Sequence, residues 1–176
     1  MEVARDTKDW TWVLRRRCPE CAVDAGGIRP EDVAGMLREA AATWVGVLRS
    51  GPRVRLRPQP GTWSPLEYGC HARDVNRVYD QRLTLMLDEA DPLFPNWDQD
   101  ETALAERYGE QDPLVVASEV DESARALAAH FDTVHGDPWD RTGRRSDGAR
   151  FTVASLAQYL VHDVRHHLWD VTGRRD

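Results

Sequence analysis

The stretch that decides the fold is T-W-S-P-L-E, residues 62–67. Ser64 can cap a helix, Pro65 suits its first turn, and Glu67 follows Ser64 by three residues, as in a capping box. Apolar residues then recur at helical spacing until an Asp-Pro pair at 91–92 ends the pattern. The sequence therefore predicts a long helix that begins at Ser64.

Three further segments show helical spacing of apolar residues, each bounded by proline, glycine or a capping residue. They run from Pro30 to Leu48, from Asp112-Pro113 toward Gly136, and from Thr152 to Gly173. The segment 101–108 predicts a short helix inside the long connection 91–112, with Gly109 ending it. R-V-R-L-R alternates as a strand would, but the nearby prolines limit it to a short extended link. These patterns predict an all-α fold, a four-helix bundle with a long crossover connection.

The 176 residues suit one bundle domain, predicted over 29–176, preceded by an irregular segment at 1–28 that packs on it. A net charge of −7 without a long basic run argues against nucleic acid as the main partner. No apolar run approaches the ~20 residues of a membrane span, and the first ten residues lack the apolar stretch of a signal peptide. We therefore expect a cytoplasmic protein that binds neither nucleic acid nor a membrane.

Three histidines stand close together in V-H-D-V-R-H-H-L-W-D-V, residues 161–171. His162 and His166 are four residues apart, so they share a helix face and could hold one metal ion. His167 lies about 100° around the helix from His166 and should not join the same site. A catalytic site needs a third protein ligand, and spacing alone does not choose among His71, His130 and His135.

Two motifs resemble those of DinB-like proteins. W-S-P-L-E-Y-G-C-H, residues 63–71, resembles the W-S-x-x-E-x-x-x-H start of that family's second helix, and 161–171 resembles its fourth-helix H-x-x-x-H motif. The resemblance covers roughly residues 30–176. It implies a bundle with a long crossover and one divalent metal ion on His71, His162 and His166. Zinc is the expected metal, and nickel, iron or manganese are alternatives.

The same resemblance implies a function. The family is similar to the N-terminal domain of mycothiol-dependent maleylpyruvate isomerase, although that domain's matching helix ends in glutamate rather than histidine. The expected activity is thiol S-transfer from a small thiol such as mycothiol to an electrophile. Either a thiolate or a water molecule would be activated by the metal. The alternatives are a metal-dependent hydrolase and a non-catalytic metal-binding or sensing bundle. A homodimer is compatible with such a bundle.

Three residues near the predicted ligands are weak candidates for a role in the reaction. Asp170 could orient an imidazole, or it could form a surface ion pair. Arg165 could meet an acidic substrate, or it could face solvent. Glu67 could act as a general base, although the capping box already explains it.

The C-P-E-C stretch of Cys18 and Cys21 has several interpretations, and Cys70 stands apart from it. The pair could be structural or inert, half of a metal site, or a redox pair. A Cys2His2 site with His162 and His166 would close the coordination shell and leave His71 unexplained. The redox interpretation lacks the expected strand–helix context.

Overall fold

The computed structural model describes residues 9–175, and five α-helices account for most of them. They are α1 Val33–Leu48, α2 Pro65–Asp88, α3 Gln99–Ala105, α4 Pro113–Phe131 and α5 Val153–Thr172. A short antiparallel hairpin precedes α5 and consists of β1 Thr142–Arg144 and β2 Arg150–Thr152. The long helices α1, α2, α4 and α5 form a bundle, so the predicted fold class is confirmed.

The order of the four long helices around the bundle differs from their order in the chain. Helices α1 and α2 each pack mainly against α4 and α5. The order around the bundle is therefore α1, α4, α2, α5. It places α1 diagonal to α2 and α4 diagonal to α5, so these two connections cross the bundle. This order brings the first turns of α2 beside the middle of α5, where the histidines lie.

Local capping explains where the long helices begin and end. The Ser64 hydroxyl accepts a hydrogen bond from the Glu67 amide, and the Glu67 carboxylate accepts one from the Ser64 amide. Thr152 and Ser155 form the same reciprocal arrangement at the start of α5. Gly173 ends α5 with a φ of 69°, a left-handed conformation that glycine adopts without steric cost.

The connections differ from the sequence predictions in three places. The predicted extended link is instead a 3-10 turn at Pro52–Arg55. The short helix begins at Gln99, where Asp98 caps it, and ends at Ala105 rather than at Gly109. The loop predicted before the fourth helix contains β1 and β2, which no sequence pattern indicated. Loops rich in proline and glycine carry little periodic signal, so their detail depends on tertiary packing.

Residues 9–32, the described part of the predicted N-terminal segment and the residues up to α1, lie against the bundle, and residues 1–8 of that prediction lie outside the described residues. The regular parts of this segment are short 3-10 helices at Trp10–Leu14, Ala25–Gly27 and Pro30–Asp32. Several of its side chains join the core formed with the long helices, namely Val13, Cys18, Cys21, Val23 and Ala25. Within residues 9–175, none of the helices is long and apolar enough to cross a membrane.

We expect Ser64→Ala to lower the free energy of unfolding by about 1 kcal/mol, because it removes the hydroxyl that satisfies the Glu67 amide. Urea denaturation monitored by circular dichroism measures the change. Ser118→Ala is the control, since the exposed Ser118 hydroxyl only donates to Leu114 O within α4. Equal stabilities of the two variants would contradict the capping role.

Candidate metal centres

Helix α5 carries two candidate metal clusters on adjacent faces. Residues four apart on an α-helix share a face, whereas chain neighbours lie about 100° apart. His162 and His166 therefore point to one side of α5, and Asp163 and His167 point to the next. Each pair meets donor side chains from a different part of the chain.

The first group, which we call the His71 cluster, consists of His71, Asp163 and His167. One donor atom from each residue lies within 4.8 Å of the other two. The Nε2 atoms of His71 and His167 are 3.6 and 3.8 Å from Asp163 Oδ1. These distances are too long for hydrogen bonds. They are close to the ~3.4 Å expected between two donors that share a tetrahedral metal ion at about 2.1 Å.

Burial makes the donor atoms of the His71 cluster costly to leave unpaired. His71 is fully buried in α2. Within the described chain, neither of its ring nitrogens nor Asp163 Oδ1 has a hydrogen-bond partner. A buried polar atom without a partner costs about 1–3 kcal/mol. A divalent cation among these atoms would remove that cost, so the residues present fit a metal ion.

The electrostatics of the His71 cluster favour the protonation states that bind metals. Burial lowers the pKa of His71, and Asp163 opposes this only in part. Burial alone would raise the pKa of Asp163, but its contact with His71, and the positive charges of His167 and His71 when they are protonated, lower this pKa to about 2. The cluster therefore combines a neutral buried imidazole with an ionised carboxylate, both of which can act as ligands.

Two neighbours fix the orientation of the imidazoles in the His71 cluster. Asp170 Oδ2 lies 2.8 Å from His167 Nδ1 and can accept a hydrogen bond from it, while His167 Nε2 faces Asp163. The His71 ring stacks on Trp97 at 5.6 Å with an angle of 12° between the ring planes. The sequence hypothesis for Asp170 was an imidazole partner or a surface ion pair. In the structure its shorter contact is with His167, and His166 Nε2 lies 3.9 Å from its other carboxylate oxygen.

The second group, which we call the Cys18 cluster, consists of Cys18, Cys21, His162 and His166. All four residues are buried, and one donor atom from each lies within 4.8 Å of the other three. Cys18 Sγ lies 3.7 Å from His166 Nδ1. Both cysteines are free thiols. The irregular N-terminal segment thus supplies two sulfur donors to the face of α5 that carries His162 and His166.

The structure divides the predicted ligand set His71, His162 and His166 between these two clusters. His71 faces Asp163 and His167, while His162 and His166 face the cysteines. The helical-offset argument correctly separated His166 from His167, but it did not establish which face of α5 meets α2. Sequence analysis missed Asp163 because only histidines were considered, although Asp163 and His167 have the same spacing as His162 and His166.

The remaining candidates lie outside both clusters. Glu67 is committed to the capping box and to an ion pair with Arg57. His130 pairs with Asp80 at 2.7 Å, and His135 is exposed. Arg165 is half-buried and does not line the cleft beside the His71 cluster. These contacts give no support for Glu67 as a general base or for Arg165 as a substrate contact.

A cleft of about 550 Å³ opens beside α5, and Asp163 and His167 form part of its wall. Arg82 and Arg145 bring positive charge to this cleft. Arg82 is only 7% exposed, and its guanidinium lies 5.3 Å from the ring of Tyr79. No carboxylate among residues 9–175 forms an ion pair with Arg82, so this buried cation is available to an anionic ligand.

The same cleft also has polar and negatively charged lining. Polar and acidic side chains of the loop before α3 and its first turn line it, namely Asn96, Asp98, Gln99 and Asp100. Trp10 and Trp97 add flat aromatic surface. The cleft can therefore contact hydroxyl groups, an anion and an apolar face in one ligand.

Comparisons with known proteins agree with this architecture. The model of the DinB superfamily matches residues 36–171. Among solved structures, YfiT from Bacillus subtilis aligns with a TM-score of 0.75 and 18% sequence identity, covering 82% of this chain and 84% of that one. YfiT is described as "a probable metal-dependent hydrolase with an unusual four-helix bundle topology". At this identity the likeness shows a shared fold. No curated protein matches the chain.

Proposed function

We propose, on the premise that this chain belongs to the DinB superfamily, that it is a metal-dependent thiol S-transferase whose divalent ion is held by His71, Asp163 and His167. The observation that carries the proposal is the convergence of three donors beside a cleft, with the buried nitrogens of His71 and Asp163 Oδ1 lacking any other partner within the described chain. A buried polar atom without a hydrogen-bond partner destabilises the fold. This arrangement is therefore expected where a bound cation offsets that free-energy cost.

The number of protein ligands favours a reactive site over a structural one. Structural zinc sites usually have four protein ligands, whereas catalytic sites have three and keep a position for substrate. The His71 cluster supplies two imidazoles and one carboxylate, which suit zinc, iron, nickel or manganese. When bound, such an ion supplies Lewis acidity that lowers the pKa of a thiol or of water.

The chain's own residues have distinct positioning roles in this proposal. Asp170 accepts a hydrogen bond from His167 Nδ1, so Nε2 is the nitrogen of His167 that would bind the metal ion. Trp97 packs against the His71 ring and limits its rotation. Arg82 would bind an anionic group of the substrate, because burial strengthens its attraction for a carboxylate.

The lining of the cleft suggests the substrate class. The polar lining of the cleft, which includes Asn96 and Gln99, suits a thiol that carries several hydroxyl groups, as mycothiol does. Arg82 suits a carboxylate on the electrophilic partner. Transfer to such an electrophile breaks the S–H bond of the thiol and forms a carbon–sulfur bond. In a substitution the leaving group departs with its bonding electron pair and the thiol proton goes to solvent, whereas in an addition a carbon–carbon π bond breaks and the product takes up the proton.

Hydrolysis is the second candidate, since the same three ligands would serve to activate water. The description of YfiT as a probable metal-dependent hydrolase favours this reaction class for a protein of the same fold. The choice between them is made by assaying the metal-loaded protein with carboxylated electrophiles in the presence and absence of a small thiol. Turnover that requires the thiol supports the transferase, and turnover without it supports the hydrolase.

We expect His71→Ala to weaken metal binding at the His71 cluster by at least about 100-fold, because a buried ligand is lost. Elemental analysis and zinc titration calorimetry should find about one fewer ion per chain than in the unmodified protein. His130→Ala is the matched control, since His130 pairs with Asp80 outside both clusters.

Two outcomes would contradict the proposal. Full metal content in His71→Ala would exclude this ligand set. Metal binding at the His71 cluster without turnover of any thiol or hydrolysis substrate would instead favour a non-catalytic metal-binding or sensing bundle.

A further inference from the structure

The C-P-E-C stretch has no part in the proposed reaction, but both of its cysteines are buried beside two histidines of α5. Cys18 and Cys21 are 1% and 3% exposed, and they lie against His162 and His166, which are 4% and 7% exposed. Cysteine sulfur and imidazole nitrogen are the donors that zinc prefers. These four donors are buried together and form a second candidate metal site, separate from the His71 cluster.

A tight turn brings both cysteine side chains to the same side. The amide of Ala22 donates to Cys18 O at 3.0 Å, and the amide of Cys18 donates to Val23 O at 2.9 Å. Ala22 has a φ of 65°, which is uncommon for a residue other than glycine and costs of order 1–3 kcal/mol. The surrounding structure therefore holds this turn in a strained conformation that presents two thiols together.

Hydrogen bonds within the described chain satisfy only part of the Cys18 cluster. Cys18 Sγ contacts His166 Nδ1, but one imidazole nitrogen is left without a partner in that part of the chain. The Nε2 atom of His162 is buried and has no hydrogen-bond partner among the described residues. Cys18 and Cys21 are free thiols.

We infer that Cys18, Cys21, His162 and His166 bind one zinc ion in a closed, tetrahedral structural site. The 3.7 Å between Cys18 Sγ and His166 Nδ1 is close to the ~3.6 Å expected for sulfur and nitrogen on the same zinc ion. Binding would release both thiol protons to solvent, and two thiolates would neutralise the charge of the ion. A neutral complex suits a site as buried as this one.

The contacts around His166 support its assignment as a ligand. Its Nδ1 faces Cys18, while its Nε2 lies 3.4 Å from a carboxylate oxygen of Glu20, the third residue of C-P-E-C. Metal-binding histidines commonly donate their other ring proton to a carboxylate in this way. The motif would thus supply both sulfur ligands and the acceptor that fixes one imidazole.

The inferred zinc site would connect the N-terminal segment to α5. Residues 18 and 21 precede the region that matches the DinB superfamily, which begins at residue 36. Trp10 packs on the rings of His162 and His166 at 5.8 and 5.1 Å and lines the cleft. The zinc ion would therefore hold one wall of the cleft in place without taking part in the reaction.

The test uses the full chain loaded with zinc or with cobalt as a spectroscopic substitute. We expect Cys18→Ser to lose about one zinc ion per chain and to lower Tm by about 10 °C. The control is Cys70→Ser, since Cys70 is equally buried but lies beside Tyr108 and Gln111, away from both clusters. It should keep the zinc content of the unmodified protein.

A measurement on the unmodified chain keeps the inference testable if Cys18→Ser does not fold. Cobalt loading should produce thiolate-to-cobalt charge-transfer absorption, and X-ray absorption should find sulfur and nitrogen around zinc. Both signals should persist in His71→Ala, which separates this inference from the proposed function. Unchanged zinc content in a folded Cys18→Ser, a cobalt spectrum without thiolate bands, or a Cys18–Cys21 disulfide formed in the presence of zinc would overturn it.

Discussion

Asp74→Ala is expected to lower the free energy of unfolding by about 3 kcal/mol, because it leaves the buried guanidinium of Arg73 without its main partner. Arg73 is 4% exposed and donates to both carboxylate oxygens of Asp74 at 2.8 and 2.9 Å. The Tyr108 hydroxyl also donates to Asp74 at 2.6 Å. Glu119 remains as a second partner of Arg73, which places the loss near the lower end of the range for broken buried pairs.

Thermal and urea denaturation test this expectation, with a fall in Tm of about 10 °C. The control is Asp121→Ala, which breaks an exposed pair with Arg125 on α4 and should cost less than about 1 kcal/mol. Similar losses in the two variants would contradict a buried network at Asp74.

The pH dependence of this loss has a defined sign. Burial raises the pKa of Asp74, but Arg73 and Tyr108 together lower it below its ordinary value of 3.8. The carboxylate therefore contributes stability at pH values above that ordinary value, and the contribution disappears as the pH falls through the lowered folded-state pKa. The difference in stability between the unmodified chain and Asp74→Ala should shrink over the same acid range.

The Asp74 network also matters for the metal centre. Asp74 follows His71 by three residues on α2. Its partner Tyr108 lies in the connection after α3, and its other partner Arg73 also pairs with Glu119 of α4. The network therefore fixes the rotation of α2 relative to its neighbours. That rotation determines whether His71 points at α5.

Sequence reasoning predicted the bundle because its signals are local. The Ser64–Glu67 capping box and the glycine after α5 depend on a few adjacent residues, and the structure contains both. The hairpin of β1 and β2 could not be predicted in this way. Its residue Gly143 is pressed against Phe94 and Met86, which are distant in the chain, so tertiary contacts stabilise that pairing.

The ligand clusters illustrate a different limit of sequence reasoning. The 3.6-residue period groups His162 with His166 and Asp163 with His167 equally well. Only the orientation of α5 in the bundle decides which pair meets His71, and that orientation results from packing of the whole core. The position of the C-P-E-C stretch could not be predicted for the same reason. It lies beside residues of α5 that are more than 140 residues away in the chain.

Asp163→Ala is expected to lower kcat/KM of the metal-dependent reaction by about 1,000-fold or more. The carboxylate lies within 4 Å of the Nε2 atoms of both His71 and His167, so the variant loses a donor from the centre of the cluster. A metal ion contributes several kcal/mol of transition-state stabilisation, and each 1.4 kcal/mol corresponds to about tenfold in rate. Loss of the ion should remove most of that contribution.

Metal titration and steady-state kinetics on graded variants distinguish this role from general damage. Asp170→Asn should weaken metal binding at the His71 cluster by about 10–100-fold, because Asp170 orients His167 and is not itself a ligand there. Glu20→Gln should leave the His71 cluster unchanged, since Glu20 contacts His166 in the Cys18 cluster. Because burial lowers the pKa of His71, protonation of this ligand should oppose metal binding only at pH values below the ordinary histidine pKa of 6.5. An Asp163→Ala variant that keeps both metal ions and full turnover would show that the ligands lie elsewhere.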